Sequence, residues 1–310
     1  MFDLLSEIKG YQTITIFRHQ SADADALGAQ FGLKVFLETN CKDVDVYALG
    51  EDVGSSATLF PTIDKIDDSI IQQSCAIILD TANAERIDDK RALNAKKIIK
   101  IDHHIVVDEY AQVAYVNTKA AATCEILANL FLASKKIVNE ECAKYLYFGL
   151  LADSISFTTS STTTNTLKAA AFLVGCGLNV NELHQQTSGI SLNDFIYINK
   201  IRNRYQVDGN VAYAFMQVED YKELGFDYNL AKEKVYALAN VNEFQIYCLF
   251  TEDESYGIKG LYNGSLRSKT VAINTVANKY NGGGHANACG VKKLTMDEIH
   301  NLISDLKALL

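Results

Sequence analysis

Asp102, His103 and His104 follow one another directly after the apolar run Lys97–Ile101. That run reads as a buried strand, so three ionisable side chains leave one strand end together. Three other stretches repeat the pattern. Thr13–Phe17 runs into Arg18 and His19, followed by Asp23 and Asp25; Ala76–Leu79 ends in Asp80; Tyr145–Ala152 ends in Asp153. Singly, an aspartate such as Asp80 or Asp153 is an ordinary helix cap. Jointly, the four runs point to a metal site assembled from the ends of strands and helices, where open α/β sheets bind ligands.

His19, Asp23, Asp25, Asp80, His103, His104 and Asp153 form a pool of imidazole nitrogen and carboxylate oxygen without thiolate. Such a pool favours Mn²⁺ or Mg²⁺ over a structural zinc of the cysteine type. Four carboxylates exceed the charge of one divalent ion. Two ions sharing a carboxylate balance them better, and ions about 3.5–4 Å apart suit attack on phosphoesters.

These residues need a scaffold. Ile14–Phe17, Val44–Leu49, Cys75–Leu79 and Lys97–Ile101 read as strands, and Ala26–Glu38 as a helix after a His19–Asp25 loop. The alternation predicts α/β architecture, a mostly parallel sheet covered by helices. After Val116 helices follow: Ala121–Ser134, Glu140–Ala152 with Asn139 as N-cap, Thr164–Gly175, then a short helix capped by Asn179. The first domain is expected to span 1–187. Residues 188–310 have another pattern: a hairpin at Asp208-Gly209, a helix Tyr228–Asn240, a strand Phe244–Thr251, one or two strands in Tyr256–Ser268, and helices at Val271–Tyr280 and Met296–Leu310. This predicts a second, smaller α+β domain.

The chemistry-bearing stretches carry a family resemblance. His19-Gln-Ser-Ala-Asp23-Ala-Asp25-Ala-Leu-Gly28, Asp80-Thr-Ala, Asp102-His103-His104 and Asp153 resemble the four ordered motifs of the DHH phosphoesterase family. Ser265-Leu-Arg267-Ser268 and Gly282-Gly283-Gly284-His285 resemble its accessory DHHA1 domain. Size and motif spacing look like the bacterial subgroup of short-RNA exoribonucleases that also act as 3′-phosphoadenosine 5′-phosphate phosphatases.

The resemblance implies that His19 and Asp23 hold one metal, that Asp25, His103 and Asp153 hold another, and that Asp80 bridges. It gives His104 the scissile phosphate, as hydrogen-bond donor or acid, and Asp102 the orientation of an imidazole. Two Mn²⁺ ions are implied, with Mg²⁺ as the substitute. Implied substrates are short single-stranded RNA, dinucleotides and a nucleoside bisphosphate. Arg267, Ser268, Gly283, Gly284 and His285 would contact them: Arg267 offers a planar fork for phosphate, and the glycines let backbone approach a ligand. Gly28 would allow close packing of its helix. Alternatives are a linear or cyclic dinucleotide phosphodiesterase, a manganese-dependent pyrophosphatase, or a non-catalytic nucleotide sensor. Ala22, Ala286 and Thr158 stand where relatives carry Pro, Pro and, in some, Arg.

Composition sets outer limits. The net charge of −9 speaks against a surface that coats duplex DNA. Seven cysteines without a Cys-x-x-Cys pair suit a reducing cytoplasm. No apolar run reaches the length of a membrane span, and Met1–Gly10 has no signal-peptide core. The expectation is a cytoplasmic enzyme with no membrane partner; a homodimer is compatible with it.

Overall fold

The structure, a computed structural model, describes residues 2–54 and 58–310. It divides into two compact units, one ending at Gly189 and one running from Ile190 to Leu310.

The first unit is built on five strands: β1 (Thr13–Phe17), β2 (Asp45–Ala48), β3 (Cys75–Leu79), β4 (Lys97–Asp102) and β5 (Val113–Val116). They pair in the order β2-β1-β3-β4-β5, every pair parallel. Parallel strands need both faces covered, and the buried residues alternate accordingly. Ile14, Ile16, Ile77, Leu79, Ile99 and Ile101 pack on one side, in a core shared with helices Ala24–Asn40, Thr123–Ser134 and Glu140–Asp153. Phe17, Ala76, Ile78 and Ile98 pack on the other, against Ile71 of the short helix Asp68–Gln73. The fifth strand extends the four expected from sequence. Its residues are only partly buried, so no apolar run marks it.

Helices Ala24–Asn40 and Glu140–Asp153 come unusually close because glycines line their contact. A Cβ on Gly28 would meet the Tyr145 carbonyl oxygen at 2.5 Å, and one on Gly149 would meet Asp25 Cα at 2.8 Å. The packing role expected of Gly28 thus has a direct cause.

The second unit holds β6 (Gln206–Asp208), β7 (Val211–Met216), β8 (Ile246–Glu252), β9 (Tyr262–Ser268), β10 (Gly283–His285) and β11 (Ala288–Leu294), in the order β10-β11-β9-β8-β7-β6. Only β7 and β8 run parallel; the other pairs are antiparallel. Helix Met296–Lys307 covers one face and Leu192–Asn203 the other.

Two helices are shorter than the sequence expectation, and two other segments become more definite. Tyr228–Asn240 is an α-helix only to Glu233, then tightens into a 3₁₀ segment, Lys234–Leu238. Tyr256–Ser268 holds a single strand, β9. The helix expected over Val271–Tyr280 is confined to Asn274–Lys279. Within the glycine run, Gly283 begins the hairpin β10–β11.

Candidate metal centre

Each element delivers its polar residue for a local reason. Parallel strands put their C-terminal ends at one edge, so His19 follows β1, Asp80 follows β3 and Asp102 closes β4. Asp23 is the N-cap of helix Ala24–Asn40, accepting from the Asp25 and Ala26 N–H groups, and places Asp25 in the first turn. Asp153 is the last residue of helix Glu140–Asp153.

These ends converge. His19 Nε2 lies 3.7 Å from Asp23 Oδ2 and 3.4 Å from Asp80 Oδ2. His103 Nε2 lies 3.3 Å from Asp80 Oδ1 and 3.4 Å from Asp153 Oδ2. Donor atoms of His19, Asp23 and Asp80 lie within 4.8 Å of one another, as do those of Asp25, His103 and Asp153, and of Asp80, His103 and His104. Asp80 therefore faces two groups, one through each oxygen.

The imidazoles are pre-aimed. His19 Nδ1 sits 2.8 Å from the Gln20 carbonyl and His103 Nδ1 3.3 Å from the Ala120 carbonyl. A carbonyl partner fixes the Nδ1–H tautomer and leaves the Nε2 lone pair for a cation. Among the described residues the buried His103 Nε2 has no well-aligned hydrogen bond, its neighbours being the Asp80 and Asp153 carboxylates. His104 is oriented differently: Asp102 Oδ1 receives its backbone N–H at 3.1 Å and its Nδ1 at 2.8 Å.

Asp25 is wholly buried, and its two oxygens accept the Thr123 and Cys124 N–H groups at 2.7 and 2.9 Å. It thereby caps helix Thr123–Ser134, whose own N-cap residue, Ala122, has no side chain for the task. Thr123 also donates its hydroxyl to Asp80 Oδ1 at 3.0 Å. Asp80 itself holds a left-handed φ of +52°, a strained conformation of the kind stored at functional sites.

The electrostatics are those of a carboxylate pool short of positive charge. Burial, with Asp80 and Asp153 nearby, pushes Asp25 well above the usual carboxylate range. Burial, with Asp23 and Asp80, pushes Asp153 up to about 6. Burial opposes charge on the imidazoles too, yet the carboxylates outweigh it and hold His19 up at about 10 and His103 up at about 9. Protons gather where a divalent cation would sit. The hard donors, the His103 Nε2 set between two carboxylates and this field all fit divalent ions.

Sequence alone does not single out several supporting residues. Arg18, 1 % exposed, pairs with Asp88 at 2.7 Å and donates to the Leu49 and Glu51 carbonyls, tying the end of β1 to the loop after β2. Lys100 and Tyr110 lie behind Asp102. These residues read as ordinary strand or loop positions, and the Arg18 contacts are distant in sequence.

In the second unit, His285 stands opposite Ala288, Ala288 opposite Arg267, and Arg267 opposite Tyr247. Directly opposed residues share a sheet face, so Arg267 and His285 flank the small Ala288, roughly 9–10 Å apart at two strand spacings. Arg267 Nη1 donates to its neighbouring Leu266 carbonyl at 2.9 Å, and His285 is exposed. The Ser268 hydroxyl accepts from the Val271 N–H at 3.1 Å. Gly284, at φ +138°, would place a Cβ 2.5 Å from the Ala288 carbonyl oxygen. Its need for glycine thus has a packing cause, whereas a Cβ on Gly283 would meet only Asn278 Oδ1, at 3.5 Å.

Comparison with known proteins identifies the domains that carry this geometry. The model of the DHH family N-terminal domain matches residues 13–150, and that of the DHHA1 domain residues 208–310. The chain is 31% identical to the bifunctional oligoribonuclease and PAP phosphatase NrnA of Bacillus subtilis, covering 99% of this chain and 97% of the relative. It is also 31% identical to the probable bifunctional oligoribonuclease and PAP phosphatase NrnA of Streptococcus mutans, covering 99% and 98%. An exopolyphosphatase-related protein from Bacteroides fragilis shares the fold, with a TM-score of 0.81 at 21% identity over 98% of this chain and 95% of that one. With both domain models matched in order and full-length relatives at this identity, the chain belongs to the DHH family of phosphoesterases, with a C-terminal DHHA1 domain.

Proposed function

We propose that this enzyme hydrolyses short oligoribonucleotides to mononucleotides and 3′-phosphoadenosine 5′-phosphate to AMP, using two divalent ions, Mn²⁺ before Mg²⁺. The observation that carries the reading is the convergence of seven side chains from four separate motifs, with Asp80 facing His19 through one oxygen and His103 through the other. The full-length relatives named for these two activities support the substrate class.

In this reading His19 and Asp23 hold one ion, Asp25, His103 and Asp153 the other, and Asp80 both. When bound, the pair supplies charge to the phosphate and activates water for in-line attack. The protein's own residues do the rest. Thr123 and the helix N–H groups fix the Asp80 and Asp25 carboxylates. As the water oxygen bonds to phosphorus, the phosphorus–ribose oxygen bond breaks. His104 Nε2 passes its proton to the departing oxygen, while Asp102 stabilises the imidazole through Nδ1. Both reactions expel a ribose hydroxyl, so one acid serves both.

Residues 1–187 carry this chemistry, and residues 188–310 grip the substrate through Arg267, Ser268, Gly283, Gly284 and His285. The Arg267–Ala288–His285 row supports that division, since it puts two nitrogen-donor side chains on one sheet face. The seven cysteines, all free thiols, suit work in a reducing cytoplasm. Among the described residues, no helix is long and apolar enough to cross a membrane.

The test is turnover of a two- to five-nucleotide RNA, the bisphosphate, pyrophosphate and a long single strand. Each is assayed after chelation and again with Mn²⁺ restored. Mn²⁺-dependent turnover of the first two is expected. Full activity after chelation, or preference for pyrophosphate or the long strand, refutes the reading.

A further inference from the structure

Lys100 is 2 % exposed, in the middle of a parallel sheet, with Ile78 and Ala114 beside it on the neighbouring strands. A buried ammonium is costly unless its donors are met. Here they are met on three sides. Nζ donates to the Ala82 carbonyl at 2.8 Å, lies 3.2 Å from Asp102 Oδ2, and sits 4.9 Å from the centre of the Tyr110 ring. Tyr110 in turn donates its hydroxyl to the Thr81 carbonyl at 2.8 Å. One cation thus spans two of the four chemical motifs: the strained turn at Asp80, and the Asp102–His104 pair.

The two Asp102 oxygens are divided. Oδ1 takes the His104 backbone N–H and Nδ1. Oδ2 is buried and has no hydrogen bond, so the Lys100 charge is what it faces. With that charge removed, the carboxylate is held through Oδ1 alone, and the His104 ring loses a partner fixed at both oxygens.

We infer that Lys100 is a positioning residue: acting through Asp102, it fixes the His104 imidazole for proton transfer to the leaving ribose oxygen. This rests on the reading of His104 as the acid, and the experiment separates the two. A purely structural lysine would affect all substrates alike. A lysine acting through the acid matters only where the leaving group needs a proton, since nitrophenolate departs without one.

The experiment compares wild type, Lys100→Met and Lys100→Gln at saturating Mn²⁺, on a dinucleotide and on a nitrophenyl ester of a nucleoside 5′-phosphate. Lys100→Met is also placed in an Asp102→Asn background. Positioned acids contribute about 10²–10⁴-fold, so kcat on the dinucleotide should fall roughly 10- to 100-fold in Lys100→Met, and less than about threefold on the nitrophenyl ester. KM and Mn²⁺ affinity should hold within about twofold, as expected when only transition-state stabilisation is lost. Added to Asp102→Asn, the substitution should cost little further, because the two act as one unit. In Mg²⁺-loaded protein, a low-field proton resonance of His104 Nδ1–H is expected in wild type and should broaden or vanish in Lys100→Met. Equal losses on both substrates, full additivity with Asp102→Asn, or an unchanged Nδ1–H resonance overturns the inference. If Lys100→Met does not fold, Lys100→Gln, which keeps a donor for the Ala82 carbonyl without the charge, is read by the same criteria. Wild-type turnover of the dinucleotide reports on the proposed function by itself, and the resonance reports on Lys100 whether or not that function holds.

Discussion

Replacing Asp88 by alanine strands a guanidinium inside the protein. Arg18 and Asp88 have side-chain exposures of 1% and 0%, and Arg18 Nη1 meets Asp88 Oδ2 at 2.7 Å. The same oxygen accepts the Glu51 N–H at 3.1 Å, and Arg18 Nε already lacks a partner. After Asp88→Ala, Arg18 keeps the Leu49 and Glu51 carbonyls but loses its hydrogen-bonded carboxylate, leaving the Glu51 side chain as its nearby negative charge. Removing one member of a buried pair costs about 3–5 kcal/mol. For a folding unit of this size the transition should fall by roughly 10 °C. Calorimetry on the full chain in chelator measures it, with Arg18→Met and the double variant alongside. The double variant should lose less than the sum of the singles, by roughly 1–3 kcal/mol, because it leaves no unpaired charge. A loss below about 1 kcal/mol for Asp88→Ala, or strict additivity, would show that water screens the pair and that the reasoning from burial is wrong.

Burial pushes the Asp88 carboxyl up from 3.8 to about 6, against the pull of Arg18. The folded state therefore binds this proton more tightly than the unfolded chain, so the group's contribution to stability declines as pH rises from 3.8 to about 6. Asp88→Asn should remove that slope, as unfolding free energies across the window would reveal. Gly149→Ala should cost about 1–3 kcal/mol by overpacking. By driving Asp25 aside, it should also reduce kcat by roughly 100-fold, a rate effect that a cavity-neutral change elsewhere in the helix would lack. Asp80→Ala should lose more activity than His19→Ala, since Asp80 faces His19 through one oxygen and His103 through the other; equal residual rates with normal metal content would contradict this. Arg267→Ala should lower kcat/KM on the bisphosphate about 10- to 100-fold, mainly through KM, and spare a nitrophenyl phosphate. Equal damage to both substrates would place Arg267 in the chemical step.

The site was easier to read from sequence than its support. Asp102, His103 and His104 announce themselves because a strand end carries charges in a row, and the runs before Asp80 and Asp153 are almost wholly apolar. The strand Val113–Val116 is short and half-exposed, so no hydrophobic signal survives. The hairpin at Gly283 hides because glycine suggests a loop, although here it permits close strand contact. Lys100 reads as a polar interruption of a buried strand. Its meaning depends on Ala82 and Tyr110, which only the fold brings to it. Arg18 is similar: its partner Asp88 is distant in sequence, and nothing local marks the pair.

The bond from the Thr123 N–H to Asp25 joins residues 98 positions apart. During synthesis, Asp25 thus waits for its helix partner for roughly 5–20 s at ordinary elongation rates. Throughout that interval the first histidine and the early aspartates exist as separate, weak ligands on a growing chain. The centre is therefore a late product of long-range closure rather than a nucleus for folding, and metal capture should mark completion of the first unit.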